Sequence, residues 1–351
     1  MEKQKPNIVG LLVGLASLVL IVAGLKTMSG ILSPILLSLF LVLVTSPILE
    51  WLKRKGLPSW LSYVLVLLGV LVIGISIVLF LAVSLEQLST ALPTYISGLS
   101  AQATQLWQWL NQQGITSESL QEFSWLQPDK ILQTSFSLIS TLIGSISNIG
   151  LTLIIFVYML ASSSTFSAQL RKGLGADSPM LERFYNFAHS MSTYLLIKGW
   201  LGALAALSQM LLMWTFGSDF VVLWGVLSFF LNFVPNIGLY IALIPPLLIT
   251  TLKLGLLKGA IFGLIYILIN NFFDLIVGPR YLAKGLDLST LAGFLAVVIW
   301  TWILGPIGAF MALPLTIMVK TLVLESFSQT KLVASLLGSD TSETFAQATS
   351  K

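Results

Sequence analysis

In the segment ILINNFFDLIVGPRYLAKG, Asp274 follows Asn270 and Asn271 by four and three residues. On a helix that spacing puts all three on one face. A carboxylate in an otherwise apolar run has a limited chemistry: it takes a proton, or it supplies oxygen ligands to a hard cation. The alternative is structural, with Asp274 at a span's end and hydrogen-bonded to the two amides. A second chemistry lies in the backbone. FVPNIGLYIALIPPLL, residues 233–248, is apolar yet holds three prolines, a glycine and an asparagine. Inside a helix each proline deprives the carbonyl four residues earlier of its donor, at a cost of about 3 kcal/mol or more. The oxygens concerned belong to Leu231 for Pro235, Ile241 and Ala242 for Pro245 and Pro246, Trp302 for Pro306, and Phe310 for Pro314. Hydrocarbon has no donor to give them, so they need protein or a water-filled cavity alongside. Either they line a hydrated route, or the prolines merely kink packed helices.

Other chemistries are excluded. The chain has no cysteine, so disulfides, thiolate nucleophiles and cysteine metal sites cannot form. It has one histidine, His189, too few for HExxH, and no Gly-Lys dipeptide for a phosphate-binding loop of the Walker type. No enzymatic chemistry and no cofactor are expected, and His189 reads as a solvated residue.

The elements that position these residues follow from composition. Of 351 residues, 56% are hydrophobic and 9% charged, against about 25% charged in a soluble domain. The solvent for such a surface is lipid. Spanning a hydrocarbon core of about 30 Å takes roughly 20 apolar residues as a helix. Runs of that kind occur near 8–25, 29–49, 60–85, 136–161, 194–216, 220–250, 259–277 and 288–324. The expected fold is an all-α polytopic membrane protein with about eight membrane segments and a small external helical region. Gly10/Gly14 and Gly255/Gly259/Gly263 carry the spacing that lets helices approach closely. Lys198 and Lys320 read as side chains snorkelling from span ends.

Basic residues set the orientation. Lys3 and Lys5 precede the first run, Lys53, Arg54 and Lys55 follow the second, and Arg171, Lys172 and Arg183 follow the fourth. Single crossings put all three clusters on one side, which is the cytoplasmic one. The net charge of +4 reflects this bias rather than nucleic-acid binding. The expected organisation is N-terminal transmembrane helices at 1–85, an external amphipathic region at 86–135, a transport core at 136–330 and a partly disordered tail at 331–351. Both termini are expected in the cytoplasm.

Runs 220–250 and 288–324 would be roughly 46 and 55 Å long as straight helices, too long for one simple crossing. They must tilt, break or fold back, and loop charge does not separate these. They also share a pattern: IGLYIALIP at 237–245 and IGAFMALP at 307–314, each preceded by a proline, Pro235 or Pro306. Corresponding Gly/Pro-interrupted segments point to a transporter's binding site. If both fold back with one crossing between them, the expected arrangement is an inverted repeat.

These blocks carry a resemblance. FVPNIGLYIALIPPLL is similar to the F-[IV]-P-x-[IV]-G-x(6)-P signature of the AI-2E (autoinducer-2 exporter-like) transporters, also called the PerM family. GPRYLAKGLDLSTLAGFLAVVIWTWILGPIGAFMALPLTIMVKTL resembles that family's C-terminal block. The resemblance covers roughly 10–330. It implies a bacterial inner-membrane protein and homo-oligomers, with members assigned autoinducer-2 export or sodium (lithium)/proton antiport. The matching positions are Pro235, Gly238, Pro245, Pro279, Gly305, Gly308 and Pro314. Many relatives carry a Glu-Asn pair shortly before the Pro279 position, whereas here the carboxylate is Asp274 in a shifted register.

Three functions are therefore expected to compete. The first is a secondary transporter of a small solute such as autoinducer-2, with Asn232 and Asn236 hydrogen-bonding it and Tyr240 and Trp302 packing against it. The second is a sodium/proton antiporter using Asp274, and the third a non-transporting membrane scaffold.

Overall fold

The structure is a computed structural model, and it describes residues 8–112, 134, 137, 141, 149–175, 177–235, 237–282, 288–326 and 330–338. Among the described residues the regular elements are all helical. They are α1 (Ile8–Thr27), α2 (Ser29–Arg54), α3 (Ser59–Gln112), α4 (Ile149–Leu174), α5 (Pro179–Thr215), α6 (Val221–Leu231), α7 (Gly238–Leu254) and α8 (Leu256–Asn271). A π-helical turn (Phe272–Val277) joins α8 to α9 (Gly278–Leu282), and α10 (Thr290–Leu304), α11 (Pro306–Leu322) and α12 (Lys331–Leu337) follow. Asn236, most of the segment 113–148 and the tail beyond Gly338 lie outside the described residues, and with them much of the expected external region.

Several helices overrun the apolar windows that announce them, because hydropathy marks only the part of a helix that meets lipid. Helix α5 begins at Pro179, fifteen residues before its apolar run, and carries the exposed His189 on that extension. Helix α3 continues past Glu86 to Gln112, which at 1.5 Å per residue makes it about 80 Å long, far more than a bilayer needs. Gln112 thus ends the helix that spans.

The chain forms two compact units. One contains residues 1–43, 148–184 and 287–351; the other contains 44–147 and 185–286. In the first, Ser38 is wholly buried and its hydroxyl lies 2.7 Å from the carbonyls of both Pro34 and Thr152, which joins α2 to α4. In the second, Trp224, Phe262, Tyr266 and Met213 are the large fully buried side chains. Lipid is as apolar as a leucine side chain, so contact between spans rests on close packing more than on the hydrophobic effect. Small residues supply it. A Cβ on Gly259 would stand 2.9 Å from Thr251 Cβ, and one on Gly263 would stand 3.1 Å from a Leu247 methyl. The Gly259/Gly263 face is therefore where α8 meets α7, while Gly255 forms the turn between them and a Cβ there would meet nothing within 4 Å. At Gly14 the same spacing meets nothing within 4 Å.

Both long apolar runs double back. Helix α6 has 11 residues, about 16 Å, too short to cross. Ser218, just ahead of it, hydrogen-bonds Thr250 near the end of α7 at 2.6 Å, so the chain has returned to its starting level. In the other unit, Trp300 Nε1 on α10 donates to Thr316 Oγ1 on α11 at 3.0 Å. The turn there is Gly305, at φ +69°, a conformation that carries little cost only without a Cβ.

Two of the five prolines depart from the expectation that each frees a carbonyl inside a helix. Pro235 lies in the α6–α7 connection, and Leu231 O, its expected orphan, accepts a hydrogen bond from Val234 N–H at 2.9 Å. Pro306 is the first residue of α11, where an N–H would have no helical partner anyway. Pro245, Pro246 and Pro314 lie buried inside unbroken helices. The breaks are made by turns, and the paired glycines close them: a Cβ on Gly238 would lie 1.9 Å from Leu231 O, and one on Gly308 1.9 Å from Trp300 O.

Candidate functional site

Side chains, rather than bare backbone oxygens, supply the polar groups in the second unit. Lys198, Gly202, Ala205 and Gln209 recur at intervals of four, three and four along α5 and so form one stripe. Opposite that stripe lie α6, α8 and the π-helical turn. Lys198 Nζ meets Asp274 Oδ1 at 2.8 Å, with the two side chains 14% and 33% exposed. Asn270 Nδ2 donates to Asp274 Oδ2 at 2.9 Å, so both carboxylate oxygens are engaged. Gln209 Nε2 then reaches Asn270 Oδ1 at 3.5 Å. Ser228 Oγ donates to Gln209 Oε1, and Tyr266 OH donates to Ser228 Oγ at 3.2 Å. Gln209, Ser228, Tyr266 and Asn270 are all buried. Six side chains thus form one hydrogen-bonded chain.

Its depth follows from helix geometry. Lys253, at the end of α7, reaches the Gly217 carbonyl just beyond α5, so α5 ends where α8 begins. Measured from that common level, Lys198 and Asp274 both lie about 26 Å along their helices and Tyr266 about 15 Å along. The chain therefore runs lengthwise between the helices, from the ion pair back towards the α7–α8 turn.

Asp274 falls within the π-helical turn, where Gly278 N–H bonds back to Phe273 O. Such turns occur rarely and often at functional sites. Beside it lies an open groove of about 580 Å³, lined by Ser208, Ile265, Leu268, Asn271, Phe272 and Leu275 among others. Asn271 therefore faces the groove while Asn270 holds the carboxylate. Asn232, which ends α6, has its Oδ1 buried with no hydrogen-bond partner among the described residues, and that atom would stand 3.5 Å from a Cβ on Gly202. An unpaired acceptor thus faces the same stripe of α5.

At the other end of these helices, Asp219 Oδ1 takes an ion pair from Lys253 at 2.6 Å, and Asp219 Oδ2 a hydrogen bond from Tyr95 at 2.5 Å. Burial pushes this carboxyl up, but Lys253 and Tyr95 outweigh that and hold it below the usual carboxylate range.

The candidate residues divide between the units. Asn232, Pro235, Gly238, Tyr240, Pro245, Asn270, Asn271, Asp274 and Pro279 belong to one; Trp302, Gly305, Pro306, Gly308 and Pro314 belong to the other. Asn236 lies outside the described residues. Asn270 and Asp274 are bonded together, while Tyr240 is 58% exposed. Pro279 opens α9. Trp302 is exposed at 57%, and Lys26 Nζ lies 3.6 Å from its ring centroid, a cation–π contact within its own unit. Two lysines depart from the snorkelling expectation: Lys198 is paired with Asp274, and Lys320 is buried in α11. Sequence reasoning missed Gln209, Ser228 and Tyr266. The available signal was the shared face of Lys198 and Gln209, eleven residues apart on one helix.

The profile of the AI-2E family transporter matches residues 15–327, which include both doubled-back helix pairs and the whole polar chain. The chain belongs to the AI-2E transporter family. It is a multi-pass membrane transporter. Among its relatives is the AI-2 transport protein TqsA of Escherichia coli K12, 29% identical over 324 residues that cover 92% of this chain and 94% of that protein. A Haemophilus influenzae protein is 30% identical over 340 residues, covering 93% and 95%. YhhT of Escherichia coli K12 is 28% identical over 326 residues, covering 91% and 92%. The names of these last two propose transport without giving a solute. Membership of the AI-2E family thus supplies the class of activity.

Proposed function

We propose that this transporter moves a small, uncharged, hydroxyl-rich solute, of which autoinducer-2 is the example carried by the name of TqsA, along the α5 stripe of the second unit. One observation carries the reading: six polar side chains are hydrogen-bonded in series within otherwise apolar helices, and Asn232 Oδ1 beside them still lacks a donor. A buried acceptor without a partner costs about 1–3 kcal/mol. A solute hydroxyl relieves that cost, and Gln209, Ser228 and Tyr266 offer further exchangeable hydrogen bonds. The reading places the protein in the bacterial inner membrane, with both termini cytoplasmic and export as the direction.

The test is flux of autoinducer-2 into proteoliposomes. Saturable uptake is expected, reduced at least tenfold by Asn232→Leu and by Gln209→Leu. Uptake no faster than in protein-free vesicles refutes the assignment, and full activity in both variants refutes the route.

A second reading is favoured by the ion pair. A carboxylate paired with a lysine between otherwise apolar helices is a candidate site for exchanging a monovalent cation against a proton. Sodium-dependent alkalinisation or acidification of the vesicle lumen, abolished by Asp274→Asn, distinguishes this from solute flux.

A further inference from the structure

We infer that Trp224 contacts the transported solute, its indole N–H carrying the polar route one step beyond Ser228, and that the solute it fits has oxygens that both give and accept hydrogen bonds. This rests on the solute-transport reading of the second unit and adds to it a residue and a requirement on the solute.

The polar chain stops abruptly. Gln209 on α5, Tyr266 on α8 and Ser228 on α6 meet through hydrogen bonds. Four residues from each of them, towards the α7–α8 turn, stand Met213, Phe262 and Trp224. Residues four apart share a helix face, so these side chains continue the faces that carry the polar contacts. All three are fully buried. Phe262 lies edge-on to Phe216 and beside Tyr266, with ring centroids 5.5 and 5.9 Å away. The result is an apolar layer across the route. Beyond it polar groups resume: Ser218 and Thr250 share a hydrogen bond at 2.6 Å, and Asp219 accepts from Lys253 and from Tyr95.

Trp224 supplies that layer with a hydrogen-bond donor. Among the described residues, Trp224 Nε1 and Asn232 Oδ1 are the buried side-chain nitrogen and oxygen atoms without a hydrogen-bond partner. Both lie on one face of α6 and its end, with Ser228 midway between them. Four residues rise about 6 Å, so donor, hydroxyl and acceptor form a ladder about 12 Å long. Its Trp224 end lies five residues from Asp219. A buried tryptophan usually pairs its N–H, and leaving a donor unpaired is costly. A layer that served packing alone is made more cheaply from phenylalanine, as at position 262.

The two atoms make opposite demands. Nε1–H donates only, and Oδ1 accepts only. A hydroxyl answers both in turn as the solute advances along α6 from Asn232 to Trp224. An ether or ketone oxygen answers Trp224 alone, and an ammonium answers Asn232 alone.

The experiment places benzothienylalanine at position 224 of the full chain, which puts sulfur where the N–H stands and keeps the shape of the ring. The same replacement of Trp214, an exposed residue near the end of α5, is the control. Uptake of autoinducer-2 into proteoliposomes and Tm in detergent are measured for both. Loss of one hydrogen bond to the solute is expected to slow uptake by the Trp224 variant about tenfold. Its Tm is expected at or above that of the wild type, since the N–H has no partner in the fold to lose. The Trp214 variant should match the wild type in both measurements. Uptake at the wild-type rate in the Trp224 variant overturns the assignment. So does slower uptake with a lowered Tm, which marks the N–H as bonded within the fold, and so does equal slowing in the Trp214 control. A wild type no faster than protein-free vesicles overturns the solute-transport reading itself, and the role of Trp224 with it.

Discussion

Gly238 and Gly308 offer the sharpest test of how the doubled-back pairs are held together. In each, the glycine Cα faces a carbonyl of the preceding helix, and an added Cβ would lie 1.9 Å from the oxygen. A carbon and a carbonyl oxygen settle at about 3.3 Å or more, so alanine falls short by roughly 1.4 Å. The obstacle at Gly238 is backbone: Leu231 O is already bonded to Val234 N–H at 2.9 Å. No rotamer change relieves it, and the two helices must separate. Overpacking of this kind costs about 1–3 kcal/mol, and a rigid obstacle belongs at the upper end. Gly238→Ala and Gly308→Ala are each expected to lower the apparent Tm in detergent by on the order of 2–6 °C. Gly238→Ala should reduce flux as well, since α6 and α7 position Ser228 and Asn232. Gly69→Ala and Gly74→Ala serve as controls, because both lie inside α3 with nothing within 4 Å of a new Cβ. They are expected to melt at or slightly above the wild-type temperature, given the better helix propensity of alanine. If Gly238→Ala and Gly308→Ala melt together with these controls, the close approach of glycine to carbonyl is not what holds the pairs closed.

Further outcomes follow from the polar contacts. Asp274→Asn and Lys198→Met should each destabilise the protein, and the double variant should be milder than their sum. The coupling from a double-mutant cycle is on the order of 1 kcal/mol, since Asp274 is one-third exposed; a coupling near zero means the pair contributes nothing. Ser228→Ala removes a donor from Gln209 and an acceptor from Tyr266, and a loss of about 1–3 kcal/mol is expected in reversible unfolding. At the other end, the carboxyl of Asp219 is held low when folded. Its contribution is therefore complete above the usual carboxylate range and disappears as pH falls through the folded value. The acid limb of a Tm–pH profile should flatten in Asp219→Asn, and an unchanged limb counts against the Lys253–Asp219–Tyr95 contact.

Much of the fold was legible because lipid imposes a one-dimensional code. An apolar window of about 20 residues is a span whatever packs beside it, and the length of both long runs required a tilt, a break or a fold back, among which the structure decides. Of the Gly255/Gly259/Gly263 series, Gly259 and Gly263 do make the close helix contact that the spacing allows, while Gly255 falls in the turn before it. Gly10/Gly14 has the same spacing, yet nothing approaches Gly14. Spacing states what a face permits, and only a neighbour makes use of it.

The candidate site was legible in part. Asp274 and Asn270 stood out because a carboxylate and an amide four apart in an apolar run must meet on a helix. Their partners did not. Lys198 is 76 residues from Asp274, Gln209 is 61 from Asn270, and Tyr266 is 38 from Ser228. No local periodicity joins residues so distant; the crossing of α5 with α6 and α8 does. Proline gave the opposite lesson, since its missing N–H is certain from sequence but its cost depends on where the helix starts. Pro306 begins α11 and Pro235 falls between helices, whereas Pro245, Pro246 and Pro314 lie inside helices as expected. Sequence alone determined that the chain lives in lipid, where it spans and which carboxylate is exceptional, because those depend on composition and on neighbours along one helix. Which cation answers Asp274 was decided only by tertiary packing, because a charge in a low-dielectric interior is settled by whatever lies within a few ångströms of it.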